Sequence, residues 1–449
     1  MTQRWAILGL VVLLVPAAAA AQPAGTRETL SLDTAIGLAV ANNRQIRAAR
    51  LQVDRDEDDL AAARTRRLPA FETTMLGSQL LTPVQFSFPK AAFGDFPGIG
   101  PVPATDTSVT TPQRPTLLLT SQVTQPLSQL IRINLGIRGA EATRELDREH
   151  ARDQELTVVN TVKRLYFAIL QNETAIAASD EAIATYRELD RTLELRVAQR
   201  IALRGDALDV QARLAQEELT RLSRANALES QKEQLNQLLG RDVRTEFDTA
   251  AVADISILDV DLRAAQGRAL DRRPDVRQAR LKAQQAEIDR RMKKAEWIPD
   301  VGLAVSYNSN FNLDVMPKNL ASAGVQVKWE PFDWGRKGRE LASKSHAVEQ
   351  AQLAVRETED HAVVEVNDRF RKLGEAKALL KVADTSRTAA REKLRVKTNQ
   401  FQIEAAVLSD VLHLRADLAD ATDRYQQALS NFWTSKADFE RAIGEDLIQ

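Results

Sequence analysis

Residues 262–301 read LRAAQGRALDRRPDVRQARLKAQQAEIDRRMKKAEWIPDV, and this passage has a counterpart earlier in the chain. Residues 32–71 align with it without a gap at an offset of 230 positions, with eleven identities over residues 32–69. Both passages are charged and helical in pattern, and each reaches a proline, Pro69 or Pro299, after which the pattern becomes strand-like. The match indicates an internal duplication, so we expect two copies of one structural unit.

The start of the chain resembles a secretory signal. Arg4 precedes an apolar run over residues 6–15, then Pro16 and small residues up to Ala21. We therefore predict a signal peptide over residues 1–21. No later run is apolar over the roughly 18 residues that a membrane-spanning helix needs, so we expect no such helix.

Composition excludes several classes of protein. The chain contains no cysteine, so we expect no disulfide, no thiol chemistry and no lipid anchor on a cysteine. The formal net charge is -1, which gives no basic field for nucleic acid. The four histidines lack metal-ligand spacing, and no phosphate-loop or nucleophile motif occurs. We expect neither catalysis nor a cofactor.

We assign the first structural repeat to residues 22–240. Helical spacing of apolar residues predicts a helix from Thr29 to Arg67, and strands follow over residues 70–82 and 116–125. Between them, residues 83–115 form a Pro- and Gly-rich loop whose phenylalanines have either a local packing or a ligand role. Residues 138–239 then predict a long antiparallel helical hairpin with a turn near Gly205.

We assign the second repeat to residues 262–444, after a connector over residues 241–261 and before a short tail over residues 445–449. Its strands are predicted over residues 301–309 and 321–330, and its helical hairpin over residues 337–443. Each strand has about the nine to eleven residues that a tilted strand needs to cross a bilayer. A soluble sandwich strand would alternate in the same way, but isolated strand pairs between helices about 100 Å long favour the membrane. Trp329 and Trp334 then occupy the position of an interfacial aromatic belt.

Several motifs in duplicate order resemble the TolC-type outer-membrane efflux proteins, the outer membrane factors. They are a helix ending at a proline, a strand followed by Glu330-Pro331-Phe332-Asp333-Trp334-Gly335-Arg336, and a returning helix ending in Ala442-Ile443-Gly444. The resemblance covers nearly the whole chain after the signal peptide. It implies a mostly α fold with a small membrane β-barrel contribution, in which three chains share one barrel above a helical tunnel. It also implies an outer-membrane location with the helices in the periplasm, a periplasmic adaptor (membrane fusion protein) and an inner-membrane transporter as partners.

The residues lead to a homotrimer independently. Four strands cannot close a barrel in outer-membrane lipid, where an open sheet edge leaves backbone groups without hydrogen bonds. Three copies would supply twelve strands around a lumen, and the residues expected to face inward are polar: Ser306, Asn308, Gln326 and Lys328.

The turns of the two hairpins are the predicted adaptor-docking tips, formed by Arg204, Gly205, Asp206, Ile403, Glu404 and Ala405. Many members of the family carry a glycine about six residues before the acid that follows the tip. Leu203 and Glu404 take those places in this chain, although Gly205 lies close by in the first repeat.

A pore constriction is implied near the start of the second returning helix. The family motif has two acids one helical turn apart, and here Asp410 matches the first while His413 replaces the second. Asp209 is the single acid kept in the first repeat. Asp410 and His413 share a helix face, and because histidine ordinarily titrates at about pH 6.5, the ring would become less negative in acid. The alternative is that His413 packs against a neighbouring helix and Asp410 caps one.

Two functions remain open at this point. The first is a passive trimeric exit duct of a tripartite efflux pump or type I secretion system. The second is a periplasmic coiled-coil scaffold or adaptor, which would share the long hairpins. Adaptors typically have one hairpin between soluble β domains, whereas this chain has two hairpins, two strand pairs and an internal repeat.

Overall fold

The computed structural model describes residues 28–79, 81–83, 85–110, 113–201, 203–250, 261–312, 317–403 and 405–445. The predicted signal peptide, nearly all of the second half of the connector and most of the tail lie outside these residues. The elements of the first half are, in chain order, β1 Glu28–Leu30, α1 Leu32–Asn42, α2 Arg44–Thr65, β2 Ala70–Gln79, β3 Gln85–Phe88, β4 Asp95–Phe96, β5 Gly100–Pro101, β6 Thr107–Thr110, β7 Pro115–Pro126, α3 Leu130–Ala198, α4 Arg204–Leu238 and β8 Phe247–Thr249.

The second half repeats this order with shorter connections. Its elements are α5 Leu262–Arg272, α6 Pro274–Ala295, β9 Asp300–Phe311, β10 Asn319–Lys328, α7 Arg336–Gln402 and α8 Leu408–Ala442. The predicted fold class, mostly helical and internally duplicated with two long hairpins, is confirmed.

The long helices form a layer beneath one sheet. With 69 and 67 residues, α3 and α7 are each about 100 Å long. α4 packs against α3, and α8 packs against α7 and α3. Side by side, α2 packs on α3, α3 on α6 and α6 on α7, so that α2 and α7 lie at the two edges of the layer.

The predicted continuous helices at the start of each repeat are wrong, because both are broken. α1 gives way to α2 at Asn43, whose backbone is extended and whose side chain accepts hydrogen bonds from the amides of Gln45 and Ile46. This is the preferred geometry of an N-cap. The equivalent break lies at Arg273, since the proline that follows it, Pro274, disfavours helical backbone in the preceding residue.

The long loop between the first two strands contains four short strands that we did not predict. Alternation in Gln85–Phe88 allows β3 to pair with β6 through Phe86 and Val109, and β4 pairs with β5 beyond them. The rings of Phe88 and Phe93 lie 5.2 Å apart, which agrees with a packing role. The first long helix also begins at Leu130, ahead of the predicted start.

The largest core lies where α1, α3 and α4 meet the middle of α7 and the C-terminal part of α8. Tyr166 is fully buried there, and its hydroxyl lies 2.9 Å from the carbonyl oxygen of Leu30 and 2.7 Å from that of Ala250. Leu30 belongs to β1, which pairs in parallel with β8. This core therefore connects the beginning of the described chain to the end of the first hairpin.

Candidate functional site

The four long strands form one antiparallel sheet in the order β10-β9-β7-β2. Because residues directly opposite each other project to the same face, the register gives each face its composition. Val305 is opposite both Ala323 and Val123, and Val123 is opposite Phe71. One face is therefore apolar across all four strands, and its large side chains are exposed: Phe71, Met75, Val123, Leu303, Val305, Tyr307, Phe311, Val325 and Val327.

The other face is mostly polar across the same four strands, although Leu76, Leu118 and Leu320 also lie on it. It carries Glu72, Thr120, Gln122, Thr124, Ser306, Asn308, Ser322, Gln326 and Lys328. Hydrogen bonds connect neighbouring strands on this face, from Thr120 to Asn308 at 2.9 Å and between Ser306 and Ser322 at 2.7 Å. The residues predicted to face inward thus share one side of the sheet.

The predicted interfacial tryptophans lie where β10 leads into α7. Trp329 follows the last residue of β10 and is 61% exposed. Trp334 is 86% exposed and has a left-handed backbone with a φ of 54°, an uncommon conformation for a bulky residue. Asp333 supports the turn by accepting hydrogen bonds from the amides of Gly335 and Lys337, and these bonds lower the pKa of its carboxyl.

The hairpin tips lie at the opposite end of the helices. Arg204, Gly205 and Asp206 form the first turn of α4 and are exposed. On the second tip, Ile403 is 75% exposed, and the amide of Ala405 donates to the carbonyl oxygen of Gln400. Glu404 lies outside the described residues.

The predicted constriction residues lie just above these tips. Leu412 of α8 packs against a small core of Leu193, Ala207 and Val210 in the first hairpin. This contact brings the part of α8 that carries Asp410 and His413 next to the part of α4 that carries Asp209. His413 and Asp209 are exposed, and Asp410 is partly exposed.

Sequence reasoning missed the environment of Asp410. The Nζ of Lys397 on α7 lies 3.0 Å from its Oδ2, so this carboxylate has a counter-charge within its own hairpin. Two further acids, Asp417 and Asp420, continue the same face of α8 and line a groove against Leu379 on α7. The heptad spacing of Asp410 and Asp417 shows in the sequence that these acids share a face of α8, but it does not identify Lys397 as the neighbour of Asp410 on α7.

Two other properties concern the described residues as a whole. None of their helices is both long enough and apolar enough to cross a membrane. Nor do they contain a group of three or more His, Asp or Glu side chains placed to hold a metal ion.

This chain was compared with curated proteins, with family patterns and with solved structures. No curated protein matches the sequence. The pattern of the family described as "Outer membrane efflux protein" matches residues 35–241 and 266–445.

Solved structures share the fold at low identity. The CmeC outer membrane channel of Campylobacter jejuni is 15% identical with a TM-score of 0.77, over 92% of this chain and 85% of that one. VceC of Vibrio cholerae is 17% identical with a TM-score of 0.73, over 92% and 96%. The open state of the Neisseria gonorrhoeae MtrE outer membrane channel is 16% identical with a TM-score of 0.72, over 92% and 88%.

Proposed function

Since this chain belongs to the outer membrane efflux protein family, we propose that it is a passive exit duct, the outer-membrane component of a tripartite efflux pump or type I secretion system. One observation carries the proposal. A sheet with one apolar and one polar face is continuous with helices about 100 Å long. A sheet of that kind suits lipid on one side and water on the other, and the helices suit a tunnel below it.

The edges of the sheet support a trimer. Within the described part of the chain, β2 and β10 each pair with one strand, and the other edge of each is open. Backbone groups at an open edge in lipid cost several kcal/mol each when they lack partners. If β10 of one copy pairs with β2 of the next, three copies close a barrel of twelve strands, with the polar face around the lumen. The edge helices α2 and α7 would meet in the same way beneath it.

The orientation follows from the two ends. Trp329 continues the apolar face of β10 and would lie at the membrane–water boundary beside Trp334. The helices then extend from the outer membrane into the periplasm. We place the adaptor at the exposed tips around Arg204 and Ile403, and the inner-membrane transporter beyond it.

We also propose that the constriction lies near Asp410, His413 and Asp209. In a trimer these residues would form rings of like residues about a common axis, and charged rings set the selectivity of channels. Because Lys397 pairs with Asp410, the net charge of that ring depends on whether the ion pair stays closed. A tunnel of this kind conducts without chemistry, so the function requires no catalytic residue.

Single-channel recording in planar bilayers tests the function. The purified trimer is expected to form cation-preferring channels, because carboxylates attract cations. Asp410→Ala is expected to weaken the cation preference, and His413→Ala to remove the change in selectivity on the acid side. Glu357→Gln, at an exposed position in the first third of α7, is the control and should behave as the wild type.

Two results would contradict the proposal in different ways. If both variants keep the wild-type selectivity and pH response, the constriction lies elsewhere in the tunnel. If the protein forms no channels and fractionates as a soluble periplasmic pool instead of requiring detergent, the scaffold or adaptor function replaces the duct.

A further inference from the structure

The interface between α2 and α3 is built on a regular ladder of ion pairs. The pairs are Arg64–Glu141 at 3.0 Å, Glu57–Arg148 at 2.6 Å and Arg50–Glu155 at 3.0 Å. Successive rungs are seven residues apart on each helix, and the arginine comes from α2 in the two outer rungs and from α3 in the middle one. This is the charge pattern of antiparallel helices in register.

One contact departs from this pattern. Next to the middle rung, the carboxyl of Asp56 on α2 lies within hydrogen-bonding reach of the carboxyl of Asp147 on α3. Gln52 bridges the pair, since its Nε2 lies 3.0 Å from Oδ1 of Asp56 and 3.4 Å from Oδ2 of Asp147. The amide thus donates one hydrogen to each carboxyl group. Two acids therefore meet where the interface otherwise brings opposite charges together.

Burial makes the like-charge contact costly. Asp56 is 6% exposed, and its second oxygen, Oδ2, is buried without a donor among the described residues. A buried carboxylate oxygen needs a hydrogen bond or a counter-charge. When two carboxyl groups share one proton, that proton supplies the missing donor and removes one of the two charges.

The surrounding charges do not neutralise the pair. On α2, the charge of Arg55 lowers the pKa of Asp56, but Arg55 is exposed. Glu57 forms an ion pair with Arg148. On α3, Arg144 and Arg148 both pair with Glu145. α1 also contacts α2, but its charged residue, Asp33, lies in the first turn of α1, away from their junction.

We propose that Asp56, Asp147 and Gln52 form a proton-binding site, in which one proton shared by the two carboxyl groups holds α2 against α3. Within one chain, α2 is an edge helix that packs mainly on α3, so this interface holds it to the rest of its own chain. The site goes beyond the duct function, because it concerns how the wall of the helical layer responds to acid.

Burial, followed by the Asp147 carboxyl, raises the pKa of Asp56 from 3.8 to about 6. A raised pKa means that the closed interface binds the proton more tightly than the open one does. The stabilisation is therefore fully present below pH 3.8 and is lost as the pH rises through about 6. With these two values, the equilibrium constant for local opening of α2 increases about tenfold between pH 5 and 7.5.

Hydrogen–deuterium exchange of the full-length trimer in detergent measures this opening. After correction for the intrinsic pH dependence of exchange, amides of α2 around Asp56 are expected to open about tenfold more often at pH 7.5 than at pH 5. Asp56→Asn mimics the protonated acid and should abolish the difference. The control Asp59→Asn changes an exposed acid of the same helix and should retain the wild-type difference.

A second measurement needs no variant. Infrared difference spectra of the wild type between pH 5 and 7.5 should contain the carbonyl band of a protonated carboxylic acid, and Asp56→Asn should remove it. The proposal is overturned if the wild type shows neither the band nor the pH-dependent opening. It is also overturned if millimolar Mg²⁺ or Ca²⁺ at pH 7.5 restores protection as well as acid does, because the site would then bind a metal cation. Neither readout depends on conduction.

Discussion

Replacing Gly240 with alanine is expected to be the most damaging glycine substitution among the residues that the structure describes. Gly240 follows α4 and has a left-handed backbone with a φ of +69°. A Cβ added there would lie 2.4 Å from the carbonyl oxygen of Asn42 and 2.8 Å from its carbon. These atoms belong to the backbone at the break between α1 and α2, which cannot move aside as a flexible side chain would. The side-chain nitrogen of Asn43 also donates to the carbonyl of Leu238 at 2.9 Å, which fixes the two segments together.

The size of the effect follows from two contributions. A left-handed backbone costs a residue with a Cβ about 1–2 kcal/mol, and overpacking against fixed atoms adds about 1–3 kcal/mol. Gly444 has the same φ, but its added Cβ would lie 3.0 Å from the amide nitrogen of Arg273. Gly444→Ala should therefore cost less, about 2 kcal/mol. Gly374, inside α7 with open space around it, is the control, and alanine there should stabilise the helix by about 0.5–1 kcal/mol.

Denaturant unfolding followed by circular dichroism measures this order. The midpoint should fall most for Gly240→Ala and less for Gly444→Ala, and it should rise slightly for Gly374→Ala. If unfolding is irreversible, the unfolding rates should follow the same order. Equal midpoints for Gly240→Ala and Gly374→Ala would refute the reasoning, because they would mean that the close approach to Asn42 carries no constraint.

Two further predictions concern a buried ion pair and the hairpin tips. Lys163→Ala should destabilise the protein by about 3 kcal/mol. It removes the cation 3.1 Å from the buried Glu440, whose other ion pair among the described residues is with Lys436 at 4.0 Å. Denaturant midpoints that match the wild type would contradict this prediction. The double variant Lys163→Met with Glu440→Leu, which removes both charges, should recover most of the loss. A photo-crosslinker at Arg204 or Ile403 should capture a periplasmic adaptor in cells, and capture of lipid or of this chain alone would count against docking at the tips.

The duplication could be predicted from the sequence because it repeats residues whose role is local. Pro69 and Pro299 end helices in both halves, and strand alternation follows each of them. The second helix break could also have been predicted, since Pro274 disfavours helical backbone in the residue before it. We did not predict either break because the apolar periodicity continues across both of them. Periodicity also does not predict two equivalent hydrogen bonds that join these breaks to the ends of the returning helices. Arg273 donates to the carbonyl oxygen of Ala442 at 3.1 Å, and Asn43 donates to the carbonyl oxygen of Leu238.

The candidate site was less predictable because its charges act across helices. The sequence identified Asp410 and His413 as neighbours on one face, but the counter-charge of Asp410, Lys397, comes from the preceding helix. Spacing within a helix shows which residues share a face. It does not show which residue of the next helix lies opposite, since that depends on the length of the turn between them.

The charges of α2 show where such information was nevertheless present. We interpreted acids such as Asp58 and Asp59 as a solvated face, and both are exposed. Arginine and glutamate alternate every seven residues along α2, and the complementary alternation occurs along α3. The register of β2 with β7, which begins where α2 ends, sets these two helices side by side. Complementary heptad charges on two helices joined by one strand pair therefore specify their pairing, and a like-charge contact inside such a ladder marks a place where another ligand, such as a proton, is required.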